Sequence, residues 1–486
     1  MVDDDENVGA RRSRRREFLG GVSAVACATV GCGGEGPDLG GGRLSDSDGG
    51  SESSTGAAVP HTDDSGPDDD TSHGGGHGSW GPLNVILITA DDLGWKALTA
   101  HTGVDHCPHL RALAAQSQVF ERAFNATSSC SSSRTTFATG LYPSQHGVTG
   151  LVHRHPERSL PAETFVSARA LAEAGYATGI AGKFHMSDVL GAKHFGYDER
   201  ATSRLKDTEF VETFLEAHQE GPFYLELNFT QTHRRGNPRR FSMHPDFPVD
   251  PRAVHVPEFW GLPDIAEIRE EVAGYLSQFC VMDDLIGQVL TIVDRLELRD
   301  ETLVMFVSDN GVSMPGNKQT LYDRGIGSPC LVRDPRHPSP AVSTTLVSSI
   351  DIAPTVLDAA GVPHDMLPGL PIRALDGSRD AVFAEMFWHR YEVGTRAIRT
   401  ERWKYIINTS LEPMGTGEVS SDWVETLAEQ PWSEPRVPLE LYDLDADPHE
   451  RTNVVGDYPE EAAVLHERLL AHMDEVGDTT PVPDGP

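Results

Sequence analysis

Two uninterrupted apolar runs of strand length, each ending in acidic residues, constrain this chain more than any other feature. Asn84-Val85-Ile86-Leu87-Ile88-Thr89-Ala90 leads into Asp91-Asp92, and Thr302-Leu303-Val304-Met305-Phe306-Val307 leads through Ser308 into Asp309-Asn310-Gly311. Continuous hydrophobicity predicts strands buried on both faces of a mainly parallel sheet, and such sheets bind ligands beyond the carboxyl ends of their strands. Adjacent carboxylates at that edge are costly unless a cation holds them. A single acidic pair is more simply a helix or turn cap. Repetition of the device at two strand ends makes Asp91, Asp92, Asp309 and Asn310 a candidate metal set. Its ligands are oxygens only, which suits Ca²⁺ or Mg²⁺ better than zinc.

The segments between and after these runs alternate in period. Leu110, Leu113 and Ala114 fall at helical spacing within Pro108 to Phe120, and Ala168 to Ala174 reads as a helix ended by Gly175. Tyr176 to His185 reads as a strand that delivers Lys183 and His185, which share an outlook at a spacing of two. Phe223 to Phe229 is a further strand, followed by Thr232, His233 and Arg234, and Val272 to Leu298 is an amphipathic helix leading into the second acidic strand. Gly316-Asn317-Lys318 opens a loop, and Pro329 to Val332 is another strand, followed by the segment Ser349 to Leu357. This alternation predicts an α/β domain over 83–375. Beyond it the texture changes. Thr395 to Asn408 and Leu439 to Leu444 read as antiparallel strands, Asp447 to Glu450 as a turn and Pro459 to Val476 as a terminal helix, which makes 376–486 a smaller α+β domain with an antiparallel sheet.

The chain of 486 residues, 38% of them hydrophobic, is long enough to bury a large core. A formal charge of −34 argues against binding nucleic acid through a general field, so any site for an anion must be locally cationic. The N-terminus carries Arg14-Arg15-Arg16-Glu17-Phe18-Leu19 and then a short Gly/Ala/Val stretch ending at Cys27 or Cys32. A twin-arginine pair before an apolar run too short to span a bilayer predicts a Tat export signal over 1–32, with the Tat translocon as partner. Thr29-Val30-Gly31-Cys32 resembles a lipobox, so Cys32 is the expected lipid-bearing residue, at the periplasmic or cell-surface side; Cys27 competes with it. Residues 33–82 are Gly, Ser, Asp and His with almost nothing to bury, and are expected to form a disordered tether. Of six cysteines, the four outside the leader are too few for a disulfide framework, and their pairing stays open.

Between the two acidic strands stands Cys130-Ser131-Ser132-Ser133-Arg134, continued by Thr139-Gly140 and by Tyr142-Pro143-Ser144-Gln145-His146-Gly147. A cysteine followed one helical turn later by an arginine pairs a nucleophile with a cation for an anionic substrate. Taken with the metal set, Gly182-Lys183, Thr232-His233-Arg234 and Asp309-Asn310-Gly311, the motif resembles that of the sulfatase family, within the alkaline-phosphatase superfamily. The order of motifs is similar to that of the sulfamidases in that family, and the likeness runs from Asn84 to about Asp478. The resemblance implies an alkaline-phosphatase-like fold and a formylglycine made from Cys130 by a maturase. It implies Asp91, Asp92, Asp309, Asn310 and residue 130 around Ca²⁺, with Arg134 and Lys183 holding the aldehyde hydrate. His185 would be the base that later opens that hydrate, and His233 and Lys318 would grip the sulfate and help the leaving group. One residue departs from the pattern: position 132 is Ser where the maturase motif has Pro or Ala.

Three functions follow. The first is hydrolysis of sulfate esters or sulfamates on a sulfated sugar, the second hydrolysis of a phosphate or phosphonate ester. The third is glycan binding by a relative that is silent because Cys130 is never converted. Clustered Arg234, Arg235, Arg239 and Arg240 suit bidentate capture of carboxylate or sulfate on a polyanionic sugar, with a solvated loop as the plain alternative.

Overall fold

The computed structural model describes residues 81–99, 105–201, 205–235, 240–389, 391–413 and 435–486. The segment expected to be an export signal, with Arg15 and Cys32, the expected tether as far as residue 80, and Arg239 lie outside the described residues.

Eight strands form the larger sheet: β1 (Asn84–Ala90), β2 (Gln118–Phe124), β3 (Ala177–Gly182), β4 (Glu199–Arg200), β5 (Phe223–Phe229), β6 (Thr302–Ser308), β7 (Cys330–Arg333) and β8 (Ala341–Ser348). They run in the order β4-β3-β5-β1-β6-β7-β2-β8, and β7 alone of these is antiparallel to its neighbours. Every residue of β1 is buried, and its side chains alternate between two cores. Ile86 and Ile88 pack with Val272, Leu276 and Phe279 of the Ala266–Arg295 helix, while Val85 and Leu87 pack with Phe137, Val356 and Leu357 on the opposite face. The Ala266–Arg295 helix is long and apolar enough to cross a membrane by composition. Its apolar face is instead consumed by the sheet, as expected of a core helix.

Register brings the functional loops to one edge. Ala90 pairs with Phe229 of β5 and with Ser308 of β6, and Gly182 of β3 pairs with Asn228. The chain therefore leaves β1, β3, β5 and β6 at nearly the same level, with Asp91, Lys183, Thr230 and Asp309 as the first residues out. The segment after β2 reaches this edge too, because β2 runs parallel to β6 across the reversed β7.

A second sheet, β9 (Ala381–Trp388), β10 (Glu392–Thr400), β11 (Trp403–Asn408) and β12 (Leu439–Asp443), is antiparallel in the order β12-β11-β10-β9. The Pro459–Glu475 helix covers one face through Leu465 and Leu469 against Ile398 and Tyr405, and the other face meets Phe124, Leu321 and Ile326.

Three expectations change. The strand expected from Tyr176 to His185 ends at Gly182, so Lys183 and His185 stand in the loop beyond it. The helix beginning at Pro108 ends at Ala114, and residues expected to continue it belong to β2. The terminal stretch of the long helix also falls short, at Arg295. The open question of cysteine pairing is answered in part: Cys107, Cys130, Cys280 and Cys330 are all free.

Candidate active site

Cys130 opens a helix, Cys130–Thr139, that is buried along its whole length and ends at Gly140 in the left-handed region, φ 71°. Its first intrahelical bond runs from Ser133 N to Ser129 O. Ser132 is thus the third helical residue, whose N–H has no partner within the helix, so the fold there accepts proline as readily as serine. The helix gives no reason to prefer either residue at 132.

The carboxylates meet where β1 and β6 end. Ligand oxygens of Asp91, Asp92 and Asp309 lie within 4.8 Å of one another, all buried. At an effective dielectric near 20, charges about 5 Å apart repel by roughly 3 kcal/mol per pair. Cations offset this from three sides. Arg134 donates from Nε to Asp309 Oδ2 at 2.9 Å and sets Nη2 3.6 Å from Asp91 Oδ1. Lys183 donates to both oxygens of Asp91, at 3.0 and 2.9 Å. Lys318 donates to Asp92 Oδ1 at 2.7 Å and lies 3.0 Å from Cys130 Sγ. The backbone is specialised as well. Asp92 takes φ 59°, strained for a residue with a Cβ, while its N–H donates to Asp309 Oδ1 at 3.0 Å. Gly182, at φ 89°, sits so close to Asn228 that a Cβ would fall 2.0 Å from its carbonyl oxygen, and this tight exit from β3 aims Lys183 at Asp91.

Charge states follow from this packing. Burial would raise the Asp91 carboxyl, but Lys183, His233 and Arg134 hold it well below the usual carboxylate range. Burial dominates at Asp309 and lifts it to about 7. Burial likewise pushes the Cys130 thiol up to about 12 despite Lys183 and Lys318, so the thiol is protonated and a poor nucleophile at neutral pH. His233 donates from Nδ1 to Arg234 O at 2.8 Å, which leaves Nε2 facing Asp92 Oδ2 at 3.9 Å; burial lowers its affinity for a proton.

The residues also fit a hard cation. Asp92 Oδ2 and Asn310 Oδ1 are buried without a hydrogen-bond partner beside the three carboxylates, and ligand atoms of Cys130 and His233 lie within 4.8 Å of Asp91 as well. Asn310 spends its amide nitrogen on Asp92 Oδ1 at 2.7 Å, which turns the carbonyl oxygen toward the remaining space.

Every residue proposed for the site from sequence is brought together here: Asp91, Asp92, Cys130, Arg134, Asp309, Asn310 and Lys318 lie deep, with Lys183, His185 and His233 half-buried at the rim. The arginine cluster is not. Arg234 is buried, ion-paired to Glu271 at 2.7 Å and stacked over Phe241, so it braces the fold and is unavailable to a substrate. Arg235 donates to Thr230 of its own loop and pairs backbone to backbone with Arg240. Of the described members only Arg240 is exposed. Sequence reasoning missed His389, whose Nδ1 is 2.9 Å from Ser129 Oγ, and Ser128, which donates to Gly325 O and accepts from Gln319 N. It also missed His153, whose ring meets His185. Lone serines and histidines carry no periodic signal that would have marked them.

The sulfatase family model matches residues 83–362, the span that holds every site residue named here except His389. The chain belongs to the sulfatase family. It is an enzyme of the sulfuric ester hydrolase class. Human N-sulphoglucosamine sulphohydrolase is 30% identical to it over 479 aligned residues, covering 83% of this chain and 92% of the human protein. Among solved structures, the phosphonate monoester hydrolase of Agrobacterium radiobacter superposes with a TM-score of 0.62 at 21% identity, over 81% of this chain and 96% of its own. A protein solved with its substrate D-glucosamine-2-N,6-O-disulfate gives 0.60 at 17% identity, over 82% and 99%. At such identities the structural likenesses establish the shared alkaline-phosphatase-like fold of this sulfatase.

Proposed function

We propose that this sulfatase hydrolyses sulfate esters or sulfamates on a sulfated sugar, using an aldehyde generated from Cys130 beside a Ca²⁺ ion. The observation that carries the reading is the place of Cys130 Sγ, 3.0 Å from Lys318 Nζ and 3.8 Å from Asp92 Oδ1, at the start of a helix and against three buried carboxylates. A thiol there is held protonated by burial, whereas a hydrated aldehyde would supply one hydroxyl to attack sulfur and a second to expel the sulfate. Asp91, Asp92, Asp309 and Asn310 would hold the cation, which would neutralise charge on the sulfate oxygens.

The chain's own residues divide the remaining work. Three carboxylates against the cations of Arg134, Lys183 and Lys318 bring the side-chain charge of the pocket near neutral, so a divalent cation and an anionic ester would enter as compensating charges. Arg134 and Lys183 fix the carboxylates and, through them, the ligand geometry. Lys318 points its ammonium at both residue 130 and Asp92, where it binds a sulfate oxygen and supports departure of the leaving group. His233 presents Nε2 at the rim, oriented by its Nδ1 hydrogen bond, to hold a proton for the leaving atom. His185 accepts a proton from residue 130 when the aldehyde is regenerated.

The likeness to N-sulphoglucosamine sulphohydrolase supports an amino sugar as substrate. The test is release of inorganic sulfate from N-sulfoglucosamine and glucosamine 6-O-sulfate, set against 4-nitrophenyl sulfate and a phosphonate monoester. Faster release from the sugars is expected; faster cleavage of the phosphonate ester would overturn the assignment. Export by the Tat route and lipid attachment at Cys32 belong to the same proposal, supported by Arg15-Arg16 and the residues before Cys32. Release of a Cys32→Ser chain from membranes is the expected result.

A further inference from the structure

His185 is the one rim histidine whose two ring nitrogens face different worlds. Its Nδ1 is buried without a hydrogen-bond partner, and the charges around the ring include Lys183, Asp91 and Arg134 of the site together with His153. Its Nε2 lies 3.1 Å from Nδ1 of His153. The two ring planes differ by 12° and their centroids are 5.3 Å apart. That separation exceeds the nitrogen–nitrogen distance by about two ring radii, so the rings lie end to end in a shared plane and the hydrogen bond runs along the line between them. His153 itself is exposed. The loop that carries it is tied to the catalytic helix, since Val152 N donates to Ser131 Oγ at 3.2 Å.

We propose that His153 is the solvent-side half of a two-imidazole relay that carries the proton taken up by His185 out of the site. The proposal rests on the reading of His185 as the site's base. Nδ1 of His185 accepts a proton from the hydroxyl at residue 130. The proton on His185 Nε2 passes to Nδ1 of His153, and the proton on His153 Nε2 passes to water. One proton leaves, both rings end neutral, and each has exchanged tautomers. Uptake at His153 Nε2 with delivery from His185 Nδ1 is the same path reversed and restores the starting tautomers. Catalytic histidines are usually oriented by a carboxylate or a backbone carbonyl, which hold the ring. An imidazole in that place holds the ring and also passes a proton on.

The test compares His153→Leu and His153→Gln with the wild-type chain, following sulfate release from N-sulfoglucosamine in dilute buffer. General acid–base groups contribute about 10²- to 10⁴-fold, and loss of the relay behind one should lower kcat by about tenfold with KM unchanged. Gln can accept the same hydrogen bond from His185 without passing a proton, so it should be as slow as Leu. Added imidazole should restore both, because His153 is exposed. Wild-type kcat in the Gln variant would reduce His153 to a prop for His185, and unimpaired Leu and Gln variants, or impaired ones that imidazole does not restore, would overturn the relay alone. A wild-type chain that releases no sulfate would overturn the functional reading and the relay with it.

Discussion

Lys404→Met removes a cation that joins the second sheet to the catalytic loop. Lys404 is fully buried in β11, donates to Leu321 O at 2.8 Å and lies 2.7 Å from Asp323 Oδ1 and 3.6 Å from Glu450 Oε1. Leu321 belongs to the loop that begins just before Lys318, and Asp323 opens the short helix Asp323–Ile326 that follows it. Breaking a buried ion pair by removing one partner costs about 3–5 kcal/mol, because the other charge is left uncompensated. Part of this is recoverable. Burial already lifts Glu450 to about 7 against the pull of Lys404, so in the variant its carboxyl rises further and stays protonated where the wild type has ionised. A raised carboxyl contributes stability at low pH that is lost as pH rises through its folded pKa, and in the variant that loss continues above pH 7. One pH unit of this difference is worth about 1.4 kcal/mol. Arg399, 3.3 Å from Asp323 Oδ2, remains to hold the other carboxylate. Urea unfolding followed by tryptophan fluorescence should therefore show a loss of about 4 kcal/mol at pH 8 and about 1.4 kcal/mol less at pH 6. Sulfate release should fall as well, because the Lys318 loop loses its tether at Leu321. A loss under about 1 kcal/mol at pH 8, or one independent of pH, would refute the reasoning.

Asp309→Ala removes a ligand of the proposed cation and the acceptor of Arg134, and metal analysis should find calcium in the purified wild type and not in the variant, while circular dichroism stays native. Glu385 is buried, accepts hydrogen bonds from Ser144 N and Oγ, and is lifted by burial from 4.5 to about 7. Its stabilising contribution is present below pH 4.5 and lost as pH rises through 7, so Glu385→Gln should gain on the wild type by about 3 kcal/mol between pH 5 and pH 8 in urea titrations.

Strands buried on both faces announced themselves. β1 and β6 are continuous apolar runs, and the acidic residues that end them could belong only to a ligand edge or to caps. β2 did not, because Gln118-Val119-Phe120-Glu121-Arg122-Ala123-Phe124 mixes polar and apolar residues and follows a true helical turn. Its neighbour β8 is the sheet's edge, half-exposed and rich in Ser and Thr, with neither period to betray it. The deep site was legible because Asp91, Asp92, Cys130, Arg134 and Asp309 each sit beside a strand end or in a motif. Arg234 misled for a physical reason: an arginine run in sequence does not reveal that one member turns inward to meet Glu271. Contacts made across the fold, such as His153 with His185 and Lys404 with Asp323, left no local trace.

The proposed chemistry requires an aldehyde at residue 130 in the active enzyme. Mass spectrometry of the peptide bearing position 130, taken from chain that releases sulfate, should find the thiol replaced by an aldehyde that reacts with a hydrazide probe, Ser132 notwithstanding. Full activity in a preparation whose Cys130 is an unmodified thiol would contradict it.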